Sequence, residues 1–189
     1  FLERQDLLED LLADDNQPVH FVFAGKAHPS DETGKQLVAE LIEATSTARA
    51  NGRITFVPDY EMDIAAGLVQ GSDIWLNNPI RPREASGTSG EKAALNGALN
   101  CSILDGWWAE MYDGRNGWEI TPSPSDDPGA RDHEEATRML ETISAIATEY
   151  HGSRSLFLGR IRHAWSTLGP KVTSARMLRD YQDRIYRVC

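Results

Sequence analysis

The chain has 189 residues and a mass of 21.0 kDa, which leaves room for one domain or slightly more. Hydrophobic residues make up 40% and charged residues 25%, an ordinary globular composition that argues against a disordered or collagen-like chain. Lys and Arg number 19 against 29 Asp and Glu, so the formal net charge is −10. This charge argues against a nucleic-acid coat or an anionic-membrane binder, because both usually need a basic face.

The cysteines and the start of the chain bear on its compartment. Cys101 and Cys189 are too few for a disulfide scaffold, which favours a reducing, cytoplasmic compartment. No basic-then-apolar leader is visible at Phe1, and no apolar run approaches the ~20 residues that span a bilayer, so we expect neither a secretory signal nor a membrane span. Because the sequence does not begin with Met, we expect a fragment or a processed chain.

Helical and strand patterns alternate along the first part of the chain. Leucine spacing predicts a helix that starts at the first residues and has ended by Pro18. Nearly continuous apolar runs predict strands at 20–25, 53–58 and 73–77, and amphipathic spacing predicts helices at 30–51 and 60–70. Continuous apolar strands are typical of parallel sheets that helices cover on both faces.

The remaining patterns complete an α/β assignment. They predict a helix at 93–99, strands at 101–104 and 118–120, a surface loop at 121–129, and helices at 132–150, 156–168 and 172–188. We therefore predict a doubly wound, mostly parallel, Rossmann-like sheet with extra C-terminal helices. Residues 1–125 form the predicted cofactor- and phosphate-binding core, and 126–189 form its helical extension. Ligands of such sheets bind beyond the carboxyl ends of the strands, which directs attention to loops 25–30, 58–60 and 77–90.

The loop before the helix at 93–99 carries the strongest chemical signal. Its second half holds small and hydroxyl residues, namely Ser86, Gly87, Thr88, Ser89 and Gly90. Backbone N–H groups at such a helix start can bind a phosphate, with Lys92 close by, and Glu84 can accept hydrogen bonds from sugar hydroxyls. The structural alternative is a flexible loop in which Thr88 or Ser89 caps the helix and Lys92 is solvated. The loop is neither a Walker A motif nor Gly-x-Gly-x-x-Gly.

The segment from Glu84 to Lys92, Glu-Ala-Ser-Gly-Thr-Ser-Gly-x-Lys, followed by Leu-Asn-Gly-Ala-Leu at 95–99, resembles the cofactor-lysine segment of the α-glucan (glycogen and maltodextrin) phosphorylases. Segments 24–29, 59–60, 73–79 and 104–108 also match that family in order. The segments at 116–118 and 167–172 are similar to its bacterial short-form members. The resemblance therefore covers nearly the whole chain.

The resemblance implies a retaining, phosphate-dependent cleavage that releases terminal glucose of an α-1,4-glucan as α-glucose 1-phosphate. It implies pyridoxal 5′-phosphate on Lys92, whose 5′-phosphate takes part in acid–base catalysis. The residues that it assigns are Lys92 and Thr88 for catalysis, Lys92, Tyr60, Thr88, Ser89 and Gly90 for the cofactor, and Glu84, Ala85, Ser86 and Gly87 for glucose. No residue is assigned to a metal, since His133, His151 and His163 lack ligand spacing.

Departures from the family pattern limit what the chain is expected to do alone. Glu91 stands where the family has an apolar Met, and Arg83 replaces a more usual apolar residue. The family's basic phosphate-binding arms and its amino-terminal domain would lie upstream of Phe1. We therefore expect an inactive carboxyl-terminal half of a two-domain, GT-B-type fold. Its expected partners are the missing domain, α-1,4-glucan, inorganic phosphate and a second copy of the chain, with no nucleic acid or membrane.

Two other functions stay open at this point. One is a non-catalytic sugar- or phosphate-binding remnant of the same fold, with Lys92 unmodified. The other is a nucleotide-sugar glycosyltransferase, which shares the architecture but needs no cofactor lysine. The pair Trp107-Trp108 could stack on sugar, although packing is the commoner use of such aromatics, and Cys101 is expected in the core.

Overall fold

A computed structural model, which describes residues 2–46 and 52–186, is an α/β arrangement with parallel strands. The helices in these ranges are α1 (Gln5–Ala13), α2 (Glu32–Thr45), α3 (Met62–Gly71), α4 (Thr88–Asn96), α5 (Gly106–Met111), α6 (Pro128–Gly152), α7 (Arg154–Leu168) and α8 (Ser174–Arg184), after a 3-10 turn at Leu2–Arg4. The strands are β1 (Phe21–Ala24), β2 (Ile54–Val57), β3 (Ile74–Asn77), β4 (Leu99–Ile103) and β5 (Gly117–Ile120). The predicted α/β class is confirmed.

The chain divides into two compact units. The first unit comprises Phe1–Ala66 with Ser123–Gly152, and the second comprises Gly67–Pro122 with Ser153–Cys189. Helix α6 thus belongs to the first unit, whereas α7 and α8 belong to the second. The chain therefore crosses from one unit to the other three times, after Ala66, Pro122 and Gly152.

In the first unit, β1 and β2 pair in parallel, with Phe21 opposite Ile54 and Ala24 opposite Val57. Helix α1 buries Leu8, Leu11 and Leu12 and packs on α6, which buries Met139, Leu140 and Ile143 among others. The buried guanidinium of Arg53 donates to the carbonyl oxygens of Leu12 (2.8 Å) and Asp14 (2.7 Å) and pairs with Asp15. These bonds satisfy carbonyl groups at the end of α1 that have no partner within the helix.

In the second unit, β4 lies between β3 and β5, and all three strands are parallel. All five residues of β4 are buried, and α4, α5 and α7 contact it. Trp108 is fully buried and donates its indole N–H to the carbonyl oxygen of Trp118 (3.3 Å). Trp107 is also buried, so the expectation that the Trp pair packs is confirmed, as is the burial of Cys101.

Several boundaries differ from the sequence prediction, each for a local reason. Helix α2 ends at Thr45, and the predicted stop at Asn51 lies outside the described residues, as do Val188 and Cys189. Helix α6 begins at Pro128 inside the predicted loop, because the Asp127 carboxylate accepts the N–H of Ala130 (2.8 Å) and Pro is favoured at a first helical position. The short helix α5 was not predicted.

The described part of the chain has neither a membrane-spanning helix nor a metal-binding cluster. Over residues 2–46 and 52–186, no helix combines the length and apolarity needed to cross a bilayer. Over the same residues, no group of three or more His, Cys, Asp or Glu side chains is placed to hold a metal ion.

Candidate active site

The predicted sugar-binding segment lies between β3 and α4 in the second unit. Glu84 is half-buried, and its backbone N–H donates to the Asp105 carboxylate at 2.8 Å. The side-chain amide of Asn77, the last residue of β3, donates to Glu84 Oε2 at 3.4 Å. Ala85 and Ser86 are exposed. The segment therefore follows the carboxyl end of a parallel strand, which is where such sheets bind ligands.

Gly87 is the N-cap of α4, and its backbone requires glycine. Its φ of 80° lies in the left-handed region, and a Cβ there would stand 2.5 Å from Cδ1 of Trp107. Its carbonyl oxygen accepts the N–H groups of Gly90 (3.1 Å) and Glu91 (3.4 Å). The expectation that Thr88 or Ser89 caps the helix is wrong, because both residues already lie in its first turn and no side chain caps it.

The start of α4 leaves backbone donors available. Thr88 and Ser89 are exposed, and their N–H groups donate to no acceptor within residues 2–46 and 52–186. Ser89 Oγ accepts the indole N–H of Trp75 at 3.3 Å. Free N–H groups and the positive end of the helix dipole together favour an anion here.

Lys92 lies one turn into α4, and its side chain is exposed. Residues four apart share a helix face, so Lys92 lies on the same face as Thr88, one turn further along α4. Among the described residues its ammonium forms no ion pair. A phosphate held by the first-turn N–H groups and an aldehyde held by the amine are therefore compatible on one face.

The opposite face of α4 is packed on the sheet. Gly90, Ala93 and Ala94 are buried, and the buried side-chain amide of Asn100 on β4 donates to the Gly90 carbonyl oxygen at 3.0 Å. The helix ends at Gly97, whose φ is 95° and whose N–H bonds back to the last turn. Gly90 thus packs α4 on the sheet, and its own N–H already donates to the Gly87 carbonyl oxygen.

One family of known proteins is similar to more than half of this chain. The model of the carbohydrate phosphorylase family matches residues 4–117. The chain belongs to the carbohydrate phosphorylase family. It is 45% identical over 193 residues to glycogen phosphorylase of Mycobacterium tuberculosis, an alignment that covers 98% of this chain and 22% of that protein.

Two further relatives widen the comparison. The chain is 38% identical to glycogen phosphorylase of Aquifex aeolicus, over 95% of this chain and 26% of that protein. It is 36% identical to maltodextrin phosphorylase of Thermococcus litoralis, over 95% of this chain and 22% of that protein. The chain therefore spans 22% to 26% of the length of these curated relatives.

Glu91 directly precedes the candidate cofactor lysine in α4. The carboxyl is partly buried, and this burial raises its pKa above the ordinary value, while the positive charges of Arg176 and Lys92 oppose the shift. Consecutive helical side chains point about 100° apart, so Glu91 lies on the flank between the buried face and the face of Lys92. Glu91 therefore does not share the face on which Thr88 and Lys92 lie.

Tyr60 belongs to the first unit, whereas the other predicted site residues belong to the second. It is half-buried in the connection between β2 and α3 of the first unit, after Asp59, whose φ is 54°. The remaining predicted residues, 84–90 and 92, form one segment of the second unit. Sequence reasoning did not assign Asn100, Asp105, Gly106 or Trp107 to the site. The signal available for the last three was their position directly after a buried strand.

Proposed function

We propose that this chain is part of an α-glucan phosphorylase, which transfers terminal α-1,4-linked glucose to inorganic phosphate with retention and yields α-glucose 1-phosphate. Family membership supports this activity, and relatives named for glycogen and maltodextrin support the glucan substrate. The structural observation that carries the proposal is the shared face of α4, on which exposed Lys92 follows the free N–H groups of Thr88 and Ser89 by one turn.

The residues present fit pyridoxal 5′-phosphate. The N–H groups of Thr88 and Ser89, with the Thr88 hydroxyl, would hold the phosphate, and the Lys92 amine would hold the aldehyde carbon. When bound, the cofactor supplies a phosphate whose second ionisation lies near neutral pH, which suits proton exchange with the substrate phosphate. Tyr60 stays a predicted cofactor residue on the resemblance alone, and Gly90 would contribute at most its backbone.

Glucose recognition is proposed for the segment that precedes α4. The Glu84 carboxylate would accept hydrogen bonds from sugar hydroxyls. The Asn77 amide orients it by donating to one of its oxygens, and the residue is only half-buried, so a sugar can reach it. Ala85, Ser86 and Gly87 would contribute backbone donors. This placement brings a carboxylate for the sugar and N–H groups for the phosphate to the same edge of the three-stranded sheet.

The wider architecture is also a proposal. Residues 1–125 would form the Rossmann-like, doubly wound core and 126–189 its helical extension, as one half of a GT-B-type cytoplasmic enzyme. An amino-terminal domain of the complete polypeptide would cover α8, an amphipathic helix of 11 residues that buries none of its side chains. Its exposed apolar side chains are Met177, Leu178 and Tyr181, followed by Ile185 and Tyr186. Left uncovered, this face would promote self-association, and the chain alone would be inactive.

Reductive trapping tests the cofactor assignment. The complete polypeptide that carries this chain would be mixed with pyridoxal 5′-phosphate, reduced with borohydride and mapped by peptide mass spectrometry. We expect a pyridoxyl group on Lys92, whereas Lys26, Lys35 and Lys171 serve as internal controls in the same sequence. The absence of an adduct on Lys92 would favour the non-catalytic alternative, in which an exposed lysine is simply solvated.

A second assay tests the reaction. Release of glucose 1-phosphate from an α-1,4-glucan should require inorganic phosphate and should be lost in Lys92→Ala. Transfer of glucose from a nucleotide sugar in the absence of phosphate would instead support the nucleotide-sugar glycosyltransferase. In that case we expect no pyridoxyl group on Lys92.

A further inference from the structure

The turn that opens α5 lies against the predicted sugar-binding segment. Asp105 is only 8% exposed, and its carboxylate accepts the backbone N–H of Glu84 at 2.8 Å. Asp105 occupies the N-cap position of α5, where an Asp side chain usually accepts an N–H of its own helix. It makes no such cap bond, so its carboxylate is committed to a residue 21 positions earlier in the chain.

Two neighbouring residues extend this contact. Gly106 has a φ of 49°, and a Cβ there would stand 2.8 Å from Cγ of Glu84 and 3.2 Å from its carbonyl oxygen. The Trp107 indole approaches both glycines of the segment, since a Cβ on Gly87 or Gly90 would lie 2.5 Å or 3.0 Å from its ring carbons. Asp105 and the first two residues of α5 therefore confine Glu84, Gly87 and Gly90.

We propose that Asp105 is a positioning residue for glucose recognition, acting through Glu84. By holding the Glu84 N–H, the Asp105 carboxylate fixes the backbone from which the Glu84 side chain reaches the sugar. Hydrogen bonds to an ionised acceptor are stronger than neutral ones, and a backbone bond sets the direction of the Cα–Cβ bond as well as its position. This inference rests on the proposed function, because it assigns Glu84 to the sugar.

The inference separates sugar binding from cofactor binding. Lys92 and the free N–H groups of Thr88 and Ser89 belong to α4, which the Asn100 amide and the burial of Ala93 and Ala94 hold on the sheet with no hydrogen bond from Asp105 among the described residues. Loss of the Asp105 carboxylate should therefore weaken glucose recognition while the cofactor face of α4 keeps its geometry.

The test compares variants of the complete polypeptide. Asp105→Ala should raise KM for glucose 1-phosphate in the synthetic direction about tenfold with a smaller change in kcat, while borohydride still places a pyridoxyl group on Lys92. Asp105→Asn keeps an acceptor oxygen in place, so it should restore KM to within about threefold of the wild type.

Asp113→Ala is the matched control. Its carboxylate also accepts backbone N–H groups, those of Arg115 (2.9 Å) and Asn116 (3.0 Å), in the same unit, but it does not contact Glu84 in the described structure. It should lower the melting temperature as Asp105→Ala does, without the change in KM.

Three results would overturn the inference. The first is an unchanged KM in Asp105→Ala; the second is a KM no better in Asp105→Asn than in Asp105→Ala. The third is a rise in KM together with loss of Lys92 labelling and a lower melting temperature, if Asp113→Ala shows the same three changes. That pattern would indicate a purely structural role for Asp105. A wild-type polypeptide that makes no glucose 1-phosphate would overturn the proposed function and this inference together, whereas an active wild type with any of the three results overturns the inference alone.

Discussion

Replacement of Gly90 by Ala tests how tightly α4 is held on the sheet. A Cβ at Gly90 would stand 2.5 Å from Oδ1 of Asn100 and 3.0 Å from Cζ2 of Trp107. Neither neighbour can move freely, because Asn100 is 1% and Trp107 7% exposed. The Asn100 side chain also holds the Gly90 carbonyl oxygen through its amide, so a shift that relieves the clash would lengthen that bond.

The expected magnitude follows from two opposing effects. Ala is favoured over Gly in a helix interior by about 1 kcal/mol, which opposes the damage. Overpacking of a filled core costs about 1–3 kcal/mol, and a buried amide deprived of its partner costs about 1–3 kcal/mol more. We therefore expect Gly90→Ala to lower the free energy of unfolding by about 1–5 kcal/mol.

Gly67→Ala provides the matched control. Gly67 lies inside α3, is exposed, and would place its Cβ within 4 Å of no other atom outside its own helix and chain neighbours. The helix-propensity gain should therefore appear undiminished, and this variant should be stabilised by about 0.5–1 kcal/mol. The two substitutions are chemically identical, so opposite signs isolate the surroundings of Gly90.

Equilibrium unfolding in urea, followed by far-ultraviolet circular dichroism, measures both changes without relying on the tryptophans at the site. The reasoning fails if Gly90→Ala is as stable as the wild type or more stable while Gly67→Ala behaves as expected. That result would mean that Asn100 and Trp107 do not confine α4.

Three smaller predictions concern titratable groups. Burial raises the pKa of the Glu91 carboxyl. The stability that comes from its protonated form is therefore fully present below pH 4.5 and is lost as pH rises through the raised pKa. Glu91→Gln should raise the melting temperature at pH 7, and this advantage should disappear below pH 4.5. Burial alone would raise the pKa of Asp113, but hydrogen bonds from backbone N–H groups and His163 lower it overall. Its stabilisation is therefore present above pH 3.8 and lost as pH falls through the lowered value, so the deficit of Asp113→Asn in thermal melts should shrink in acid. Burial raises the pKa of Cys101 to about 12, so in a Cys189→Ser background iodoacetamide should label it only after unfolding; rapid labelling of the folded chain would contradict this.

Features that depend on residues close together in the sequence were predicted correctly. The sequence predicts a helix that starts at residue 30, and the Asp31 carboxylate does accept the N–H of Gly34 at 2.9 Å as the N-cap of α2. The parallel strands and the loops after β1, β2 and β3 were likewise predicted, because continuous apolar runs and the residues that end them lie next to each other in sequence.

Signals that depend on distant contacts were missed. The start of α4 was placed too late because its first turn, Thr88 to Gly90, contains residues that favour caps and loops over helix interiors. The helix begins there because Gly87 adopts a left-handed conformation against Trp107, a neighbour 20 positions away in the chain. The pattern of residues within the loop does not indicate a contact with a residue so distant in sequence. The hydrogen bond between Asp105 and Glu84 was missed for the same reason.

The exposure of Lys92 follows from the residues on the other side of its helix. With about 100° between successive residues, Gly90, Ala93 and Ala94 form one narrow face, and Thr88 and Lys92 lie on the opposite one. Three small side chains let α4 approach β4 closely, so its rotation is fixed by packing and not by any group on the outer face. The orientation of the face that carries Thr88 and Lys92 is consequently set by two alanines and a glycine on the opposite side of the helix. A larger residue at any of these three positions would move Thr88 and Lys92 together relative to Glu84, because the helix carries the first two whereas Asp105 holds the third.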